Sequence, residues 1–494
     1  MPDTVRRRNA RSLKKLIEYG LLMQDENSRS RSSPRWRVTL TVPPYGPVEQ
    51  PQYRGIPQLG VGYLASSLLA AGHACSVVDS KMSMLDLRRL VDRLVATRPD
   101  VVGISAMTDE IGRAHQVAEV VKKRLPNVFI VVGGCHATAL ALQTLQEFPA
   151  FDAAVAGEGE RVLPEMVERL RRAGPASLDG LKGVAWRNGC TPVFNGPMDR
   201  MLEDLDALPV PAWQLFPTTR IYPLITSRGC PFRCVFCQRA MGERVRFRSA
   251  DSVLEELTMV VERFHANDVR VRDETFALSK IRVHEICEGI RRRGLNKKFH
   301  WWAQSHCNVV DRVILREMRE AGCRTIGFGI ESGNEGILAS MGKNTTKDRI
   351  RRAIADAKAV GLRVGTYFIL GHPGETRATI EDTIRFAAEL NADEVSFARM
   401  VPFPGTEVYR MALRGEGGYR NLAQDWSQFG KYLANPVVLD GLSSYELDRA
   451  QLRAYSTFFA RNRRITSALR FALLHRRAAI RAFRTWGGRI LSRQ

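Results

Sequence analysis

The chain has 494 residues, 44% hydrophobic and 26% charged, a composition that fits a globular protein of two to four domains and excludes a fibrous or disordered one. It holds no apolar run of roughly 20 residues, which argues against a membrane-spanning helix. The formal charge of +22 suggests nucleic acid only until it is located: residues 1–37 carry +6 and residues 461–494 carry +10, which leaves +6 on everything between.

Residues 1–35 form a basic N-terminal extension. They show neither the apolar centre nor the small-residue cleavage site of a secretory signal, so the expected location is the reducing cytoplasm. Nine cysteines in that compartment point to metal ligation or buried thiols instead of disulfides.

Residues 36–170 alternate strands and helices. "RVTLTVPP" reads as a strand, "GVGYLASSLLAAGH" as a helix with a Gly-His stop, and "ACSVVDS" as a second strand. "MLDLRRLVDRLVATRPD" repeats apolar residues every three and four positions, and "DVVGISAM", "FIVVGG" and "FDAAVAGEGE" supply three more short strands. The alternation implies right-handed βαβ units and a doubly wound, Rossmann-like parallel sheet, whose ligands bind beyond the carboxyl ends of the strands. The loops there read Pro43-Pro44-Tyr45-Gly46, Ser105-Ala106-Met107-Thr108, Gly133-Gly134-Cys135-His136 and Gly157-Glu158-Gly159-Glu160. Small residues at successive strand ends let the backbone approach a large flat or elongated ligand; tight turns without a ligand are the plain alternative.

Residues 171–215 read as a linker, with a hairpin turning at Arg187-Asn188-Gly189 and a Pro-rich crossing, "LEDLDALPVPAWQLFP". From 216 to 410 a second alternation begins. "YPLITS", "VRVRDETF", "FHWWAQS", "TIGFGIES", "LRVGTYFILG" and "EVSFARMVPFPG" are strands, separated by helical stretches such as "ADSVLEELTMVVERF" and "KDRIRRAIADAKAVG". Six such units fit a partial or complete TIM-like β/α barrel, with its chemistry at the C-terminal strand ends. Strand alternation should point one of Trp301 and Trp302 inward, to line a pocket or to pack the core. Residues 411–494 form a helical C-terminal region with a basic tail. Leu469, Leu473, Ile480 and Phe483 fall near one helical face among arginines. Such a helix can lie peripherally on an anionic membrane, dock on the barrel or a partner, or stand as a solvated tail. Nucleic acid is the weaker option, because no recognition-module signature accompanies the charge.

The densest motif is "LITSRGCPFRCVFCQRA", residues 224–240, where Cys230, Cys234 and Cys237 fall just after the first barrel strand. A structural zinc needs four ligands, and no fourth lies nearby. An iron–sulfur cube usually takes four thiolates, so three leave one iron open to a substrate or cosubstrate. Gly229, Pro231 and Phe236 help the loop wrap a bulky cluster. Buried unligated cysteines, or a zinc site completed by a distant residue, remain as alternatives.

This stretch resembles the signature of radical S-adenosylmethionine (radical SAM) enzymes, and the resemblance runs to about residue 410. It implies that Cys230, Cys234 and Cys237 hold a 4Fe–4S cluster whose fourth iron is chelated by S-adenosylmethionine. It further implies an electron donor such as flavodoxin or ferredoxin, and reductive cleavage to a 5′-deoxyadenosyl radical. Phe236 would sit beside the cluster. Asp273 and Glu274 in "RDETFALSK" stand where the family carries an acidic motif for the methionine amino group, although its usual Gly-Gly-Glu is absent. Glu331 and Ser332 in "FGIESGN" offer polar contacts, Gly371, Pro373, Gly374 and Glu375 in "ILGHPGET" resemble the turn near the adenine, and "VPFPGTEVY" matches the end of the sixth strand. Each carboxylate has a plainer alternative as a helix cap or a surface charge.

The first domain then looks like the cobalamin-binding domain of one large subgroup of that family. The likeness places Pro44, Gly62, Ser105, Met107, Gly133, Gly134, His136, Gly157, Glu158 and Gly159 at the corrin. The Asp-x-His-x-x-Gly pattern of many cobalamin proteins is missing, since "TDEIGR" has no histidine in place. The cofactor is therefore expected base-off without a lower histidine ligand; His136 is a candidate to approach the corrin or to cap backbone. An unactivated carbon has no lone pair with which to attack a sulfonium, so a radical generator beside a corrin implies a cobalamin-dependent C-methyltransferase acting on a small molecule or lipid. Oxidative cyclisation or rearrangement with the same cofactors is the alternative. A methylthiotransferase would need a second cysteine trio, and Cys75, Cys135 and Cys190 are not arranged as one. The non-enzymatic reading is a basic, metal-containing binding protein.

Overall fold

A computed structural model of the chain describes residues 36–46, 54–430 and 436–462. The basic N-terminal extension and the C-terminal amphipathic segment with Leu469, Leu473, Ile480 and Phe483 lie outside the described residues. The first sheet is built from β1 (Arg37–Val42), β2 (Ala74–Asp79), β3 (Val101–Ser105), β4 (Phe129–Gly133) and β5 (Ala153–Val155). All five are parallel, in the order β2-β1-β3-β4-β5. The helices α1 (Leu59–Ala70), α2 (Leu87–Ala96), α3 (Ile111–Arg124), α4 (Cys135–Glu147) and α5 (Gly159–Ala173) cover it. Because helices lie on both faces, the strands read as continuous β-branched runs. The linker hairpin, β6 (Val184–Asn188) and β7 (Thr191–Phe194), pairs antiparallel onto β5 and extends this sheet to seven strands.

The second sheet contains β8 (Ile221–Leu224), then, after a small pair formed by β9 (Ser227–Arg228) and β10 (Arg246–Phe247), β11 (Asp268–Val271), β12 (His300–Ser305), β13 (Cys323–Glu331), β14 (Arg363–Leu370) and β15 (Glu394–Arg399). Its six long strands are parallel and follow chain order from β8 to β15. The two edge strands do not pair, so the barrel is partial. Its helices begin where a short polar side chain satisfies a free backbone N–H: Ser249 before α6 (Ala250–Glu262), Ser279 before α7 (Lys280–Arg292) and Asp311 before α8 (Arg312–Glu320). Asn334, Thr346, Thr376 and Thr406 do the same for α9 (Glu335–Ser340), α10 (Lys347–Ala359), α11 (Arg377–Leu390) and α12 (Glu407–Arg414).

The open edge at β15 is closed by the C-terminal helix α13 (Ser444–Arg461). The Phe397 N–H donates to the Tyr455 hydroxyl at 3.0 Å, and Gln451 Nε2 donates to the Phe397 carbonyl at 2.6 Å. An edge strand that would otherwise present unpaired groups is thereby satisfied. One apolar core runs from the first sheet through Ala212, Trp213 and Phe216 of the linker into the barrel wall at Tyr222, Val269 and Phe328.

Candidate functional site

The cysteine loop is a hairpin with its base defined by β9 and β10, where Arg228 faces Arg246. Gly229 has φ +93°, and a Cβ there would lie 2.3 Å from the Arg244 carbonyl oxygen, so only glycine lets the strand turn into the loop. The Cys230 N–H donates to the Gly242 carbonyl at 3.2 Å, which folds the far side of the loop back over the first cysteine. Cys234 is buried, Cys230 half-buried and Cys237 exposed, and all three are free. A hydrogen bond with Cys237 and the nearby Lys343 ammonium hold the Cys234 thiol below its usual value, while the same pairing raises Cys237.

Three thiols on one loop are the donor type that an iron–sulfur cluster takes. Among the described residues no three His, Cys, Asp or Glu side chains converge as one metal ion would require. Thiolates on separate irons of a cube need not converge. Phe236 is half-buried and packs against the core beside them.

The expected cosubstrate residues line the barrel mouth in different states. Asp273 is buried, and its carboxylate accepts from the Thr226 N–H (2.6 Å), Thr226 Oγ1 (2.5 Å) and Ser227 Oγ (2.7 Å), so it locks the end of β8. Its neighbour Glu274 is exposed. Glu331 stands at a bulge with φ +70° and forms a buried ion pair with Lys343 at 3.1 Å. A left-handed backbone is strained for a glutamate and is held here by the surrounding pairing. Ser332 is turned inward to Thr383 Oγ1 at 3.1 Å. Gly371 has φ +90°, and its N–H donates to the buried Glu375 carboxylate. Gly374 faces open space.

At the first sheet, the strand order places the crevice between β1 and β3, where successive connections leave in opposite directions. Pro44 lies in the loop just past β1, with its carbonyl accepting from Arg113 Nε at 3.1 Å; Ser105 is half-buried at the end of β3, and Met107 stands 48% exposed beyond it. Gly134 has φ +98°, and a Cβ there would fall 2.5 Å from the Ala106 carbonyl oxygen, whereas a Cβ on Gly133 would meet nothing closer than 4.0 Å. Gly157, with φ +93°, packs on Met198. Tight backbone, clear space above Gly133 and an exposed thioether suit a broad, apolar-faced ligand such as a corrin.

Three residues expected at the corrin are engaged elsewhere. Gly62 lies on the buried face of α1, where a Cβ would meet Pro211 at 2.9 Å and Trp213 at 3.0 Å, so it serves helix–linker packing. His136 is fully buried, edge-on to Trp426 with ring centroids 4.8 Å apart, and burial lowers it to about 4. Glu158 directs its carboxylate into the protein, where Arg228, Arg246 and the Leu202 N–H occupy both oxygens. Gly159 begins α5 above Leu64.

Several side chains at the site were not singled out by sequence. Lys343, Arg228 and Arg246 are buried cations whose partners are distant in sequence. Gln238, one position past the last cysteine, donates from Nε2 to the carbonyls of Cys135 (3.0 Å) and Pro404 (2.9 Å). Inside the barrel Trp302 is the inward indole; Trp301 is buried toward the helices and donates to the Ala321 carbonyl at 2.9 Å. Trp302 and Tyr367 close over Gly327, and the Arg272 guanidinium lies 5.9 Å from the Trp302 ring centroid. Alternation along β12 and the glycine at 327 were the available signals.

Comparison with known proteins finds two family models on the chain. A family model described as the radical SAM superfamily matches residues 224–387, and one described as the B12 binding domain matches residues 54–167. The chain is 33% identical over 416 residues to an uncharacterized methyltransferase, PH0819, of Pyrococcus horikoshii, covering 82% of this chain and 88% of that one. It is 28% identical to the anaerobic magnesium-protoporphyrin IX monomethyl ester cyclase of Rubrivivax gelatinosus, over 72% of this chain and 66% of the relative. Among solved structures, the radical S-adenosylmethionine methyltransferase TsrM from Kitasatospora setae, with cobalamin and a 4Fe–4S cluster bound, superposes with a TM-score of 0.68 at 18% identity. That match covers 86% of this chain and 91% of TsrM and shows a shared fold.

Proposed function

The chain belongs to the cobalamin-binding radical S-adenosylmethionine enzymes, and from that premise we propose that it methylates an unactivated carbon of a small-molecule or lipid substrate. Cys230, Cys234 and Cys237 hold the 4Fe–4S cluster in this reading, and the loops after β1, β3, β4 and β5 hold cobalamin with no histidine below cobalt. When bound, these groups turn two S-adenosylmethionine molecules and two electrons into one transferred methyl group, S-adenosylhomocysteine, methionine and 5′-deoxyadenosine. A small low-potential protein such as flavodoxin or ferredoxin supplies the electrons.

The chain's own residues position and enclose. Glu274, exposed at the barrel mouth, receives the methionine ammonium. The Glu331–Lys343 pair holds the end of β13 against the cysteine loop. Trp302 and Tyr367 wall the lumen, and Arg272 at its lip orients a polar part of the substrate.

The reading is carried by the junction at Gln238, which bonds a loop of three free thiols directly to the loop after β4. The test is anaerobic reconstitution with iron, sulfide and cobalamin, followed by labelled S-adenosylmethionine. We expect 5′-deoxyadenosine even without substrate, and its loss when Cys230, Cys234 or Cys237 is changed to Ser. Unchanged turnover in those variants would sink the proposal. A second reading, cyclisation with the same cofactors, is favoured by the likeness to the Rubrivivax gelatinosus cyclase; product lacking the labelled methyl group would select it. Among the described residues no helix is long and apolar enough to cross a membrane. We place the enzyme in the reducing cytoplasm, with peripheral contact to anionic lipid through the basic segment after residue 462.

A further inference from the structure

The residue before α5, Glu158, occupies the N-cap position of that helix yet makes no capping bond. Its carboxylate instead leaves the first sheet and reaches the base of the cysteine hairpin. Oε1 accepts from Arg228 Nη1 at 2.8 Å and from Arg246 Nη1 at 2.9 Å. Oε2 accepts from Arg246 Nη1 at 2.8 Å and from the Leu202 N–H at 2.7 Å. Arg228 Nη2 also donates to Glu160 Oε1 at 2.5 Å. The four side chains are each no more than 9% exposed and balance two positive charges against two negative ones.

The placement of these arginines gives the cluster its meaning. Arg228 and Arg246 are directly opposed across β9 and β10, the two strands that bracket all three cysteines. One carboxylate of the first sheet therefore grips both legs of the loop at once. Arg246 reaches further into the loop, donating from Nη2 to the Met241 carbonyl at 2.8 Å, next to the Gly242 carbonyl that receives Cys230 N–H. The second point of attachment is Gln238 near the loop's tip, bonded to the carbonyl of Cys135 directly after Gly133-Gly134. Base and tip are thus tied to the loops after β5 and β4.

We infer that Glu158 is a positioning residue: with Gln238 it forms a two-point clamp that sets the separation and orientation between the thiolate-bound cluster and the cobalamin. The inference rests on the cofactor reading proposed above. Guanidinium–carboxylate bonds suit this task because their planar geometry fixes direction, whereas apolar packing between the same surfaces leaves sliding free. Glu158 touches neither cofactor in this scheme. It acts through the two arginines.

The test uses the full chain, reconstituted with cluster and cobalamin, as wild type, Glu158→Gln and Gln238→Ala. Iron and cobalamin per chain are measured first. Both centres are then brought to their paramagnetic states, and the dipolar splitting between the two spins is read by electron paramagnetic resonance. This readout follows distance and orientation, which a residue needed only for folding would leave unchanged in the loaded fraction. The expected result is that both variants retain both cofactors but lose the wild-type splitting. If Glu158→Gln fails to load, Gln238→Ala, which strands no buried charge, decides alone. Loaded variants with the wild-type splitting overturn the clamp. A wild-type protein that takes up no cobalamin removes the cofactor reading and the clamp with it, so the two failures are distinguishable.

Discussion

Glu375 offers a stability test whose sign can be worked from the structure. It is 3% exposed beyond the end of β14, and one carboxylate oxygen accepts from the N–H groups of Gly371 and His372 while the other has no partner among the described residues. Burial pushes its carboxyl up to about 7, against the pull of those two N–H groups. The folded chain therefore holds a proton that the unfolded chain releases near 4.5. Stability from this group is fully present below that value and is lost as pH rises toward 7, by about 3 kcal/mol in all. Glu375→Gln keeps an acceptor for the two N–H groups and removes the titration, though its amide leaves an unpaired donor costing about 1 kcal/mol. The variant should match or slightly trail wild type at pH 5 and exceed it by about 2 kcal/mol at pH 8, read as urea midpoints under nitrogen. Burial also lowers His136 and His372 to about 4 and His306 to about 3. These act in the opposite direction, withdrawing stability as pH falls below about 6.5, and they cancel in the comparison of the two proteins. Parallel pH profiles for wild type and Glu375→Gln would refute the reasoning.

Two further outcomes are expected. Gly134→Ala forces a Cβ against the Ala106 carbonyl at φ +98°; strain of about 1–3 kcal/mol should displace the loops after β3 and β4, so cobalamin retained after gel filtration should fall sharply. Full retention would show that this turn does not shape the cofactor site. Trp302→Ala removes the inward indole, so substrate-independent 5′-deoxyadenosine release should persist while KM for substrate rises. An equal loss of both would assign Trp302 to cosubstrate binding instead.

What was legible in the sequence followed from local rules. Period and β-branching located the strands of both sheets, and three thiols within eight positions marked the loop. Features set by distant pairing were not legible. The hairpin read as part of a linker is joined to the first sheet because β6 satisfies the edge of β5, and no local signal names an edge partner. Glu158 looked like a ligand residue in a glycine-rich loop, but its partners lie 70 and 88 residues further along. His136 looked available until Trp426, from a segment 290 positions later, covered it. Trp301 and Trp302 could be assigned to opposite faces by alternation, but which one faced inward depended on the helices packed outside β12.

The junction between the two sheets combines two kinds of force, and their magnitudes explain the division of labour. The apolar core continuous through Trp213 and Phe216 supplies attraction without direction, on the order of 25 cal/mol per Å² buried. The ion pairs embedded beside it, Arg228 and Arg246 with Glu158 and Arg228 with Glu160, add little net stability, because desolvating the charges offsets most of their attraction. Removing one partner, however, costs about 3–5 kcal/mol, since a buried charge is left uncompensated. A shift of one sheet against the other stretches these bonds and meets the same kind of penalty. Chemistry that would move electrons and a methyl group between two bound cofactors needs that directional stiffness more than it needs additional stability, so buried charge, a poor choice for holding a protein together, is a good one for holding its parts in register.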